Sequence, residues 1–171
     1  GAALNGFGRS IGVGVLLELG VNDSVRPLWP EQVDLFFAIP AADARLDFRP
    51  LDFVQVNAGL NLRMIDHALV LLDPQPGERV LDLFCGLGNF TLPLARRAAE
   101  VVGVEGDAGL VQRARDNAAR NGIGNARFFA ADLAKPLAGQ AWLAEPFDRI
   151  LLDPPRTGAD ALLAQLPTRG V

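Results

Sequence analysis

The stretch Val80-Leu81-Asp82-Leu83-Phe84-Cys85-Gly86-Leu87-Gly88-Asn89-Phe90-Thr91-Leu92 decides how this chain is read. Residues 80–84 form an apolar run of strand length, broken by a single acid at Asp82. Cys85 to Asn89 then supply two glycines two residues apart, and a helical pattern starts after them. A strand that stops at a glycine turn and restarts as a helix brings bare backbone, unshielded by Cβ atoms, against a ligand at the mouth of a parallel sheet.

Outward from this stretch the same alternation repeats. Residues 101–105, Ala126–Ala130 and 149–153 read as further apolar strands, and residues 92–99 and 108–121 as the helices between them, with Gly122 as a helix stop. Upstream, Leu60, Met64, Ala68, Leu69 and Leu72 recur at helical spacing, so Ala58–Leu72 reads as an amphipathic helix ended by Asp73-Pro74. A short helix over 159–166 closes the pattern. Repeated strand–helix–strand units with apolar strands predict an α/β fold, a doubly wound parallel sheet covered on both faces. The first fifty residues differ. Residues 13–19, 33–39 and 45–48 read as short strands punctuated by Asn22-Asp23-Ser24 and Pro40. The predicted organisation is a small antiparallel β segment over 1–52, followed by an α/β domain over 53–171.

A chain of 171 residues, 50% hydrophobic and 21% charged, has the composition of a globular domain with a short appendage. No apolar run reaches the ~20 residues of a membrane span, and residues 1–12 lack the charged and apolar regions of a signal peptide. The expectation is a cytoplasmic protein with no membrane association and no obligate protein partner. One cysteine, Cys85, leaves no internal disulfide framework and no cysteine-built metal site. Net charge is −4; residues 1–52 carry 4 Arg against 7 Asp and Glu. That is not the basic footprint of a stand-alone nucleic-acid binder.

Acidic residues close three of the predicted strands. Glu105 ends the second, where a carboxylate can accept hydrogen bonds from both ribose hydroxyls of a nucleoside cofactor. Asp132 follows the third and suits an adenine amino group, although a helix N-cap would use the same residue. Asp153-Pro154-Pro155-Arg156 follows the fourth, and its prolines stiffen a loop fit to position a base. A dinucleotide fingerprint would need a third glycine where Thr91 stands, and a cofactor without pyrophosphate has less use for it.

The pattern Asp82-x-x-x-Gly86-x-Gly88 resembles the first motif of Rossmann-like S-adenosylmethionine (SAM) methyltransferases. Together with Gln55-Val56-Asn57-Ala58-Gly59, Gly103-Val104-Glu105-Gly106 and Asp153-Pro154-Pro155-Arg156, the chain resembles the RNA uracil-5-methyltransferase family, closest to its members that modify bacterial 23S ribosomal RNA. The resemblance implies SAM as cofactor, ribosomal RNA as partner, and a cofactor pocket lined by Gln55, Phe84, Asn89, Glu105, Asp132 and Asp153. Asp153 and Arg156 would border the target uracil. Asp132 replaces an Asn frequent in the family, and Pro155 replaces an Ala.

In that family a cysteine thiolate adds to C6 of uracil, C5 then attacks the methyl group, and a base removes the C5 proton before the cysteine leaves. Cys85 sits inside the cofactor turn and reads as a small buried hydrophobe rather than this nucleophile. The family nucleophile lies in a Ser-Cys-Asn-Pro motif and the base is a late glutamate, both expected beyond Val171; an iron–sulfur cluster, where members carry one, would lie upstream. The resemblance therefore implies an incomplete methyltransferase core with no catalytic residue of its own and no metal site. His67, Arg113, Arg115 and Arg120 read as helix-surface residues, and Trp29 and Trp142 as packing residues. Competing readings are a transfer RNA uracil-5-methyltransferase, an RNA amino-methyltransferase suggested by the Asp-Pro-Pro loop, and a SAM-binding module without chemistry.

Overall fold

A computed structural model describes residues 2–18 and 25–166 of the chain. The described residues fall into two compact units: residues 2–18 and 25–36 with 47–54, and residues 37–46 with 55–166. The units interleave along the chain, because the hairpin residues 37–46 fold with the α/β part.

In the smaller unit, helix α1 (Ala2–Ile11) precedes an antiparallel pair, β1 (Val15–Leu17) and β2 (Arg26–Trp29), registered as Val15 opposite Trp29 and Leu17 opposite Arg26. The sequence reading placed only strands here, and α1 corrects it. Leu4, Phe7, Gly8 and Ile11 share one helical face, but the glycines at 6 and 8 disguise the period. Gly8 is needed where it stands: a Cβ there would lie 2.8 Å from Val15 Cγ2 and 3.1 Å from the Trp29 ring. The predicted turn at Asn22-Asp23-Ser24 lies outside the described residues.

The chain then forms β3 (Phe36–Ile39) and β4 (Ala44–Asp47), a two-stranded sheet joined through a 3₁₀ turn at Pro40–Ala42. Within the larger unit, Asn121 clasps residue 45 of this hairpin. Its Oδ1 accepts from Arg45 N at 2.8 Å and its Nδ2 donates to Arg45 O at 2.7 Å.

Helix α2 (Ala58–Leu72) starts as the sequence predicts, with the Asn57 side chain accepting from Leu60 N at 3.0 Å as its N-cap. Then follow β5 (Arg79–Leu83), α3 (Thr91–Ala95), β6 (Glu100–Glu105), α4 (Ala108–Arg120), β7 (Ala126–Ala130), β8 (Arg149–Leu152) and α5 (Asp160–Leu163). The strands make one fully parallel sheet in the order β7-β6-β5-β8. Strand order reverses beside β5, so the crevice outside its carboxyl end is the topological switch point of this α/β fold. Helix α3 is shorter than the predicted 92–99, and α5 is shorter than 159–166.

Each face of β5 has its own partners. Leu81 and Leu83 join Val102, Val104, Leu133, Leu137, Trp142 and Phe147 in one buried cluster. Asp82 points to the opposite face, where Thr91 of α3 meets it, and stands opposite Gly103 in register. Gly103 has no room for a side chain: a Cβ would lie 2.8 Å from the Phe128 ring and 3.0 Å from Cys85 Sγ. Overpacking of this kind costs roughly 1–3 kcal/mol. Gly103→Ala is therefore expected to lower unfolding free energy by about that amount in urea denaturation; an unchanged midpoint would contradict the packing described.

Candidate cofactor site at the strand ends

The carboxyl ends of β5, β6, β7 and β8 carry Phe84, Glu105, Asp132 and Asp153 at or just past one edge of the sheet. At the centre is the turn after β5. Phe84 is a non-glycine residue with φ of 64°, followed by Gly86 at 55° and Gly88 at 98°. Left-handed backbone at an aromatic residue costs on the order of 1–3 kcal/mol and persists only where neighbours over-determine it. Here they do. Cys85 N donates to Val104 O at 3.1 Å, and Gly88 N donates to Cys85 O at 2.9 Å.

Three side chains from other elements fasten the same turn. Glu105 Oε2 accepts from Gly86 N at 3.1 Å, while its Oε1 accepts from Gly106 N at 2.7 Å and Asp107 N at 3.1 Å. Asn117 of α4, 2% exposed, donates to Leu87 O at 3.2 Å. Asn61 of α2, 3% exposed, exchanges two amide hydrogen bonds with Asn89, each 2.9 Å. Sequence reading missed Asn61 and Asn117. A signal was present: each stands at a core position of its helix, Asn61 with Ile65 and Leu69, and Asn117 with Val111 and Ala114.

Asp82 lies directly beneath the turn with no exposure, accepting from the Thr91 hydroxyl through Oδ2, while its buried Oδ1 has no hydrogen-bond partner. Burial pushes its carboxyl up to about 7; the Thr91 hydrogen bond opposes that rise, and the negative charges of Asp153 and Glu105 add to it. The Cys85 thiol is buried too, and desolvation with nearby Asp82 and Glu105 holds it well above the ordinary thiol range. A buried thiol with that bias is a packed side chain, poorly suited to be a nucleophile at neutral pH.

The outer residues differ among themselves. Asp132 is exposed; its Oδ1 accepts from Ala134 N at 3.0 Å and its Oδ2 pairs with Lys135 Nζ at 3.2 Å, which lower its carboxyl below the usual range. The carboxylate thus closes a local turn while standing just past β7. Asp153 begins an exposed loop with Pro154, Pro155 and Arg156, and partial desolvation raises its carboxyl. Gln55 is half-buried, two residues ahead of the α2 cap. Phe84 packs from the turn against the Leu81–Val102 cluster. Among the described residues no group of His, Cys, Asp and Glu could hold a metal ion.

The Asp82 carboxyl gives this site a pH signature. A folded-state value near 7 against 3.8 means that its contribution to stability is fullest below pH 3.8 and is lost as pH rises to 7. Asp82→Asn removes the ionisation but keeps an oxygen for Thr91. Relative to the unsubstituted chain, it is expected to gain stability progressively between pH 4 and 7, by up to about 4 kcal/mol. Chemical denaturation across that range checks this, and parallel profiles for the two proteins would contradict it.

Comparison with known proteins identifies the family and the fold. The family model for tRNA (Uracil-5-)-methyltransferase matches residues 37–169. A 23S rRNA (uracil(1939)-C(5))-methyltransferase RlmD from Xanthomonas oryzae pv. oryzae is 61% identical over 163 residues, which is 95% of this chain and 37% of that protein. Its counterpart from Xylella fastidiosa is 58% identical over 167 residues, 98% of this chain and 38% of that protein. The chain thus spans little more than a third of these curated relatives. Two solved structures share the fold. Pyrococcus abyssi tRNA (uracil-54, C5)-methyltransferase in complex with S-adenosyl-L-homocysteine has a TM-score of 0.63 at 24% identity, covering 78% of this chain and 31% of that one. TYW2 of M. jannaschii in complex with AdoMet has 0.54 at 19% identity, covering 79% and 55%. The parallel sheet is a Rossmann-like methyltransferase fold, and the chain belongs to the tRNA (uracil-5-)-methyltransferase family.

Proposed function

We propose that this chain is the SAM-binding core of an enzyme that methylates C5 of a uridine in 23S ribosomal RNA. The observation that carries the cofactor choice is Glu105 on the Gly86 N–H. A dinucleotide's pyrophosphate would need the turn's amides and the N-terminus of the following helix. Here a carboxylate already takes one of those amides, and α3 has only five residues. A cationic sulfonium and ammonium suit a rim that carries Glu105 and Asp153, where an anionic pyrophosphate would be repelled. The backbone also leaves room, since a Cβ on Gly86 would meet nothing within 4 Å.

SAM would supply an electrophilic methyl group. The chain's own residues would bind and orient it. Glu105 has three of its roughly four acceptor sites committed to backbone, leaving one on Oε2 for a ribose hydroxyl. Asp132 would accept from the adenine amino group, Phe84 would pack on the apolar part, and Gln55 and Asn89 would take the amino-acid end. Asp153 and Arg156 would hold the target uracil beside the methyl group. Its in-line placement can be worth an effective molarity on the order of 10⁵–10⁸ M. The nucleophilic cysteine of the covalent route is assigned elsewhere in the enzyme, because Cys85 is buried and biased towards the thiol. Ribosomal RNA as the substrate rests on the strong identity to relatives so named. Among the described residues no helix is long and apolar enough to cross a membrane.

Calorimetric titration with S-adenosylhomocysteine tests the cofactor reading. Saturable binding is expected, with a tenfold or greater loss in Glu105→Ala and no response to NAD. Binding of NAD, or equal affinity in the variant, would contradict it.

A further inference from the structure

Asn61 takes no place among the cofactor-lining residues, yet it is the buried half of a two-bond amide pair whose other half is Asn89. Its Nδ2 donates to Asn89 Oδ1 and its Oδ1 accepts from Asn89 Nδ2, both at 2.9 Å. Asn61 is 3% exposed and projects from the core face of α2, between the Asn57 cap and Ile65. A buried amide in that position carries a desolvation cost that only its partners offset. Asn89 is its side-chain partner, 28 residues away in the chain.

The consequence lies in what Asn89 keeps. An amide has two N–H donors and two acceptor lone pairs. The pair consumes one of each, so Asn89 retains one donor and one acceptor in a plane fixed by α2. It sits directly after Gly88, whose φ of 98° is left-handed backbone that favours glycine. We infer that Asn61 is a positioning residue for the cofactor's amino-acid end: it holds the Asn89 amide in one plane, so that its remaining N–H donates to the carboxylate of SAM and its remaining oxygen lone pair accepts from the ammonium. The inference rests on the cofactor reading proposed above. The same pair couples the Gln55-to-Asn57 segment to the glycine turn, since α2 begins at Ala58 directly after Asn57.

A double-mutant cycle read by S-adenosylhomocysteine affinity tests this, with melting curves alongside to verify folding. Asn61→Leu removes both bonds and is expected to weaken binding about tenfold. Asn89→Leu gives the loss from removing the ligand-facing amide itself. If Asn61 acts through Asn89, the double Leu variant binds within twofold of Asn89→Leu alone, because nothing remains to be positioned. A purely structural Asn61 would instead add its own loss, and the double variant would lose the product of the two. That result, or unchanged affinity in a folded Asn61→Leu, would overturn the inference while the unsubstituted chain still bound the ligand. Failure of the unsubstituted chain to bind S-adenosylhomocysteine would overturn the cofactor reading, and this inference with it.

Discussion

The left-handed backbone at Phe84 is the constraint on which the rest of the site depends. An aromatic residue with φ of 64° is unfavourable locally. The surrounding fold holds it there from several sides. Asn61 reaches in from α2, Glu105 from the end of β6, and Asn117 from α4, while Asp82 and Thr91 lock the floor. Strain of this kind is found where backbone must approach a ligand closely. The turn is therefore stabilised by tertiary contacts from three helices and two strands.

Charge is partitioned along the same sheet. At the amino ends of the strands, arginines meet carboxylates: Arg79 and Arg127 share Glu100, and Arg149 forks onto Glu78. Arg79 also lies 4.4 Å over the Phe147 ring. At the carboxyl ends stand Asp82, Glu105 and Asp153; burial raises the Asp82 carboxyl, and the charges of Asp153 and Glu105 add to that rise. One end is neutralised, and the other is left acidic beneath an open turn. A positively charged group placed at that end would relieve like-charge repulsion.

Much of this was legible from residue order. The four parallel strands match their predicted spans within a residue or two, because buried parallel strands are near-continuous apolar runs with little else to imitate. The strand-end acids were readable because each directly follows such a run. Helix α1 was not, since Gly6 and Gly8 weaken its period and the need for Gly8 comes from its packing against Val15 and Trp29. Asn61 and Asn117 escaped for a related reason. A polar residue on an apolar helix face reads as an interruption until its partner is known, and both partners lie some thirty residues away. Asp132 shows the converse, where position was readable but the local pairing to Ala134 and Lys135 was not.

The most direct test of the account is a crystal structure of the chain with S-adenosylhomocysteine. The account expects the ligand across the carboxyl ends of β5 and β6, its ribose on Glu105 and its amino-acid end on Asn89, with the Phe84–Asn89 turn unchanged and the Asn61 pair intact. A ligand seated away from the turn, or a turn that rebuilds to admit it with Phe84 leaving the left-handed region, would contradict the claim that the fold preorganises this site.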